Sequence, residues 1–379
     1  MYKINIYFIN GIQMTSFLEK VKQNLEKEMK KMDDDISLEE KVEIFEQYDT
    51  DLENKIENII KLDNSKDLCE LNESLFQDLE IFEDHLQDET KSILQKINKT
   101  DTIFGKVFLK HQLRNPTFNI EYLNRQKNNI VKINNNHNEC NELIGNMKGF
   151  EKDLIWLWKE IDEQIDSLYD MFYFKNRFLK YLNYNEWYLL VMNIYKIFIA
   201  PGMTIISPLS TIIFMFVGYK YYKLKIPFTD LLKLGKSLFF RQFNSSSKLK
   251  MFFSMAIWLF FYLQGVYQTF NNSIQINKIS NIFHNKVNLI SSFIKENQKL
   301  YDFKNSNQIE LVQNELNFNK LLKLLKRFPS NVSLFSNKGG ILSTYYTLLE
   351  IKDELKPFIM FLSEMDYYNS LSKLYNEFE

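Results

Sequence analysis

Along most of this chain apolar residues return every third or fourth position, the repeat that lays one stripe down a helix. Phe17, Leu18, Val21, Leu25 and Met29 begin it, and Val42, Phe45, Leu52, Ile56, Ile59 and Ile60 carry it on. Between them Asp33-Asp34-Asp35, then Ser37 and Glu40, spell a break followed by a capping box. The same pattern predicts a helix over 67–94 and another from Thr102 to Leu113. Lys99-Thr100-Asp101 would cap the second, and Asn115-Pro116 would stop it, because proline cannot continue a helix and biases its predecessor away from one. Glu121 to Ile133 follows as a helix, and residues 134–138 read as a polar linker. Leu143, Met147, Phe150, Leu154, Leu157, Trp158, Ile161, Ile165 and Leu168 then predict one long helix.

Two stretches break the alternation. Ile197–Tyr219 is 23 residues without a charge, interrupted by Pro201-Gly202 and Pro208, and Met251–Phe270 is 20 residues without a charge. At about 1.5 Å per residue, each is long enough to cross roughly 30 Å of hydrocarbon. They predict a hairpin that either inserts in a membrane or is buried in protein. Beyond it Ile279, Phe283, Val287, Ile290 and Ile294 resume the helical spacing. The segment Asn337-Lys338-Gly339-Gly340 reads as a turn, and Pro357 suits the first turn of a last helix. The expected fold is all-α: long antiparallel helices in a bundle, with an inserted apolar hairpin. The expected divisions are an acidic helical segment (1–66), the first part of a core (67–186), the hairpin (187–272) and the second part of the core (273–379).

Composition changes this picture little. With 10 Gly and 6 Pro in 379 residues, long turn-free segments are favoured. Charge distribution matters more. Residues 1–100 hold 13 Lys against 24 Asp and Glu, which argues against that part gripping phosphates. The stretch 220–250, between the two apolar runs, carries Lys220, Lys223, Lys225, Lys233, Lys236, Arg241, Lys248 and Lys250 against Asp230 alone. These are the candidate contacts to DNA phosphate or to lipid head groups. By the positive-inside rule this loop would be cytoplasmic, with both termini on the other side of a membrane.

Candidate catalytic chemistry is sparse. His85, His111, His137 and His284 are scattered, and Cys69 and Cys140 are isolated, so no metal or disulfide framework is implied. A reducing intracellular compartment fits the two cysteines. Gly235-Lys236-Ser237 is a fragment of a phosphate loop, but Asp230 stands where the first glycine is needed. The aromatic run Tyr169–Phe178, with Tyr181, Tyr184 and Trp187, suits a packing face or a membrane-interface belt better than base stacking.

Two segments carry a family resemblance. Asp101-Thr102, Gly105, Leu113-Arg114-Asn115-Pro116, then Ile120, Leu123, Asn124 and Arg125, resemble the core of MutS proteins. There a Leu-Asp-x-Thr run precedes a helix-opening Gly, then Leu-Arg-x-Pro and Ile-x-x-Leu-Asn-x-Arg. Glu73–Leu79 resembles the lead-in to that core. Glu364, Asp366 and Ser370-Leu371 resemble the family's Glu-Leu-Asp-x-x-x-Ser-Leu-Ala helix, which leads into its ATPase. Coverage is roughly residues 70–135 and 335–379. Gly105 would serve a close approach, Pro116 a helix stop, and Arg125 a pairing with a carboxylate of a neighbouring helix. The resemblance, which extends to MutS-like proteins of giant DNA viruses, implies the core and connector of a mismatch-repair or recombination protein. No catalytic residue or cofactor would lie on this chain; ATP and Mg would belong to an ATPase module on a partner chain, and DNA would be the other partner. The apolar pair sits where that family keeps its DNA clamp, so a membrane-anchored scaffold that no longer handles DNA is the alternative.

Overall fold

The computed structural model describes residues 38–47, 51–60, 73–83, 91–159, 163–210, 217, 230, 233, 248–312, 315–325 and 338–378. Of these, 83% are helical and none lies in a strand, so the fold class is all-α. The stripe over residues 17–29 and the capping box at Ser37 lie outside the described residues.

Two compact units form, and they are described separately. The smaller joins α1 (Leu38–Glu46) to α7 (Glu163–Asp170). Phe45 meets Tyr169 edge to face at 5.8 Å between ring centres, and Lys41 donates to Ser167 at 3.4 Å.

The larger unit contains everything else. Besides short helices at Glu73–Asp78 and Ile93–Ile97, its described helices include α2 (Leu52–Ile60), α3 (Ile103–Arg114), α4 (Ile120–Asn135), α5 (His137–Gly145), α6 (Glu151–Ile155), α8 (Glu186–Ile206), α9 (Lys248–Ser306), α10 (Phe318–Leu325), α11 (Lys338–Glu350) and α12 (Lys356–Phe378). α12 is the central rod, packed by α3, α4, α5 and α2. α11 lies between α8 and α9, and the carboxyl-terminal half of α9 ties the two groups together by also touching α5, α6 and α10.

Caps explain the boundaries near the rod. Thr102, with extended backbone, accepts from the Gly105 N–H at 3.0 Å and so is itself the cap of α3, one residue beyond the expected Lys99-Thr100-Asp101. Asn119 caps α4 by accepting from Tyr122 at 3.0 Å. The linker at 134–138 shrinks to Asn136 alone, between α4 and α5.

The single helix expected over 143–168 does not form. α5 stops at Gly145, Gly149 takes φ +98°, and α6 begins at Glu151, continuing into a tight 3-10 turn at Trp156–Trp158. Only glycine adopts that φ without a Cβ penalty. Apolar spacing alone did not register the break. The expected turn at 337–340 is also corrected: Lys338, Gly339 and Gly340 form the buried first turn of α11. A Cβ on Gly339 would lie 2.9 Å from the carbonyl carbon of Glu186, so the glycine lets α11 and α8 approach backbone to backbone. Pro357 takes the first turn of α12, as expected.

The domain boundary expected at 272/273 falls inside a helix. α9 runs unbroken for 59 residues, from the apolar stretch into the core. Its second half buries Ile276, Ile279, Phe283, Val287, Ile290, Ile294, Leu300 and Phe303, and Phe283 stacks on Tyr345 with ring centres 3.9 Å apart. Each such side chain contributes about 1.5–3 kcal/mol when buried.

Candidate functional site

The first turn of an α-helix leaves backbone N–H groups with no partner inside the helix, and each needs an acceptor if it is buried. At α3 those acceptors arrive from far along the chain. Asp366 Oδ1 accepts from the Asp101 N–H at 3.1 Å, while its Oδ2 accepts from the Thr102 N–H at 2.8 Å and the Thr102 hydroxyl at 2.7 Å. Glu151 Oε1 accepts from the Ile103 N–H at 3.1 Å, and its other oxygen accepts from Gly149 at 2.8 Å. Two buried carboxylates therefore sit at the positive end of the α3 dipole, where negative charge is favoured. Gly105 makes this geometry reachable: a Cβ there would lie 2.6 Å from Asp366 Cγ. Burial pushes the Asp366 carboxyl up to about 6, against its three hydrogen bonds, which favour the charged form.

α12 continues the same logic over nearly three turns, from Glu364 to Lys373. Ser370 Oγ accepts from the Lys99 N–H at 3.1 Å, and Glu364 accepts from the Val312 N–H at 2.9 Å. Asn369 donates to Asn141 at 2.8 Å and Ser372 to Asn134 at 3.0 Å. Lys373 pairs with Asp101 and also donates to the Lys99 carbonyl at 3.3 Å. This polar spine of a buried helix fixes the register of its neighbours, since Glu364, Asp366 and Ser370 each accept from a backbone N–H of a distant segment. Cys140, fully buried beside it, has its thiol pushed up to about 12 by desolvation, which leaves it without nucleophilic thiolate.

Gly105, Asp366 and Ser370 are thus brought together. Pro116 follows Asn115, the last cap of α3. Arg125 is a correction: among the described residues it pairs with no carboxylate, and its guanidinium lies over the Tyr122 ring at 5.0 Å. Tyr122 is one turn earlier on the same helix, and nearby Glu364 is committed to the Val312 N–H. Sequence reading missed Glu151 and gave Glu364 no role beyond the resemblance, because the Ile103 and Val312 N–H groups they accept from lie 48 and 52 positions away.

The second feature is the pair formed by α8 and the first half of α9. It runs antiparallel, with the Tyr262 hydroxyl donating to the Ile205 carbonyl at 2.9 Å and the Ser273 hydroxyl to the Lys196 carbonyl at 3.2 Å. Pro201 has no N–H for the carbonyl of Ile197, and a widened π turn at Tyr195–Ile199 absorbs the defect. α8 is long and apolar enough to cross a membrane, and only 17% of its most apolar window is buried. Its start at Glu186 lies eleven residues before the expected Ile197, and of the expected run past 210 only Val217 is described. Phe252, Phe253, Ile257, Phe260, Phe261 and Leu263 of α9 all face outward.

Of the basic candidates, Lys220, Lys223, Lys225, Lys236 and Arg241 lie outside the described residues, and Lys248 and Lys250 are described only as backbone of α9. Lys233 is exposed and pairs with Asp230 at 3.2 Å. Among the described residues no three His, Cys, Asp or Glu are grouped as metal ligands. Compared with protein-family models, with curated proteins and with solved structures, the chain matches none.

Proposed function

We propose that this chain is a membrane-anchored helical scaffold, with α8 and the first half of α9 as the anchor and the bundle around α12 as the rigid body. The observation that supports it best is the outward-facing apolar surface of the antiparallel pair. A soluble protein rarely leaves so large a contiguous apolar patch in water, because each exposed Phe or Leu forgoes about 1.5–3 kcal/mol of burial. The length of α8, the absence of charge over Met251–Phe270, and the basic stretch between the two runs agree with insertion. Because α9 is one continuous helix, force or tilt applied to the anchor passes directly into the core.

Carbonate washing of membranes from cells expressing the full chain tests this reading. Retention in the pellet is expected, and release of intact protein into the supernatant would sink it.

A second reading keeps the body as a MutS-like core and connector, relaying movements of an ATPase borne by a partner chain, with DNA as its substrate. It is favoured by the meeting of the two resemblance-bearing segments at Gly105, Asp366 and Ser370. Its test is anisotropy of labelled duplex DNA against salt. Binding that weakens with salt and disappears on neutralising the eight basic residues of 220–250 would support it. Indifference to both changes would remove DNA.

A further inference from the structure

The loop between Lys175 and Trp187 is exposed, aromatic and yet firmly held. Phe178, Tyr181 and Trp187 are 84%, 65% and 75% exposed. A floppy loop could turn such side chains inward at little cost; this one cannot. Asn183, wholly buried, clamps it by accepting from the Phe174 N–H at 2.9 Å and donating to the Phe174 carbonyl at 3.0 Å. Glu350 of α11 pairs with Lys180 at 2.8 Å and accepts from the Tyr184 hydroxyl. Ser343 donates to the Tyr184 carbonyl at 3.0 Å, and Tyr184 meets Tyr346 edge to face at 5.3 Å. Asn185 then caps α8, accepting from Tyr188 at 3.1 Å. The loop is braced on the body and leads within one turn into the apolar helix.

Rings with a polar edge beside cationic side chains are the composition that settles at the boundary between hydrocarbon and head groups. Lys175 and Arg177 are exposed on the loop, and Arg177 has no carboxylate partner among the described residues. The one carboxylate on the loop, Glu186, is exposed at the start of α8. Resting on the membrane reading above, we infer that the 175–187 loop is an interfacial anchor that lies in the phospholipid head-group layer. Phe178, Tyr181 and Trp187 sit where the head groups meet the acyl chains, and Arg177 faces the negative charge of anionic head groups. The loop sets how deeply α8 and α9 insert, and the brace to Glu350 transmits that depth to α11.

The test uses the full chain with Cys69→Ser, reconstituted in mixed phosphatidylcholine–phosphatidylserine vesicles. A polarity-sensitive fluorophore is placed at Phe178→Cys, at Tyr181→Cys, or at Phe260→Cys in the apolar pair. At 178 and 181 quenching by head-group nitroxide lipid is expected to exceed quenching by tail nitroxide, with the reverse at 260. Probes at 178 and 181 quenched only by aqueous iodide, with 260 still quenched from the tails, would overturn the anchor and leave the membrane reading intact. No lipid quenching at 260 would overturn the membrane reading itself. Arg177→Gln is expected to weaken binding to phosphatidylserine vesicles about fivefold, from roughly 1 kcal/mol per surface cation, and to leave pure phosphatidylcholine binding unchanged. Equal binding of the two proteins to both would overturn the assignment of Arg177 to anionic head groups.

Discussion

The bundle around α12 and the antiparallel pair of α8 and α9 solve opposite problems. In the bundle, polar groups are inside: Glu364, Asp366, Asn369 and Ser370 are all fully buried. In the pair, apolar groups are outside: Phe253, Phe260, Phe261 and Leu263 face away from protein. Buried polar groups are costly unless they find partners, and around α12 backbone N–H groups of distant segments supply them for Glu364, Asp366 and Ser370. Exposed apolar groups are tolerable only when something other than water surrounds them. One helix, α9, belongs to both environments, and its residues change from outward phenylalanines to an inward Ile–Phe–Val stripe with no break in the backbone. A helix does not know which solvent it is in; only its side chains do.

The contrast can be broken most severely at Asp366. Asp366→Ala would leave the Asp101 and Thr102 N–H groups and the Thr102 hydroxyl buried without acceptors, each costing about 1–3 kcal/mol. A loss of about 3–5 kcal/mol is expected in denaturant unfolding followed by circular dichroism. A loss below about 1 kcal/mol would mean the cap does not organise the bundle.

Charging the pair should do the reverse. Phe260→Lys with Leu263→Lys is expected to cost about 2.5–3.5 kcal/mol of insertion per lysine, seen as loss of vesicle flotation. The unfolding midpoint of the bundle should barely move. A large stability loss with unchanged flotation would show that these faces are buried against protein.

Gly105→Ala tests the close approach that lets Asp366 reach α3. Overpacking of this kind costs about 1–3 kcal/mol, and the alanine variant should unfold at lower denaturant with an unchanged slope. Stability equal to the parent would show that α12 can shift aside freely.

The remaining expected effect is a dependence on pH. Burial raises the Asp366 carboxyl from its ordinary 3.8 to about 6, so between those values the folded protein holds a proton that the unfolded chain has lost. Its stabilising contribution is complete below about pH 4 and is lost as pH rises through about 6. Asp366→Asn should lack this component, so the stability difference between parent and variant should change across that window and be flat above it. A carboxyl resonance titrating near 4 would refute the assignment.

Much of this was legible beforehand. The all-α class follows from the three-four spacing, and the helix over 103–114 was foreseen to within a residue at either end because Thr102 and Asn115-Pro116 are local signals. Gly105 and Asp366 were marked by resemblance, yet nothing in either segment says that they touch. The break at Gly149 was missed because its neighbours keep the apolar spacing, and a positive φ leaves no trace in that spacing. Gly339 was misread as a turn since two adjacent glycines look alike whether they bend a chain or admit a neighbouring backbone. Arg125 was expected to pair with a carboxylate of a neighbouring helix, whereas its guanidinium lies over the ring of Tyr122 on its own helix.

What the chain determined by itself is therefore local: which stretches are helical, where hydroxyls, amides and prolines stop them, and which two runs are too apolar for ordinary surface. Periodicity, capping and length act over a few residues, so one sequence suffices to read them. What only the tertiary structure decided is non-local. It alone joins the first turn of α3 to a carboxylate 264 positions later, and it alone turns the phenylalanines of α9 outward and its isoleucines inward. Both depend on which surfaces meet across the fold, and a hydrogen bond or a buried face has no meaning until its other half is in place.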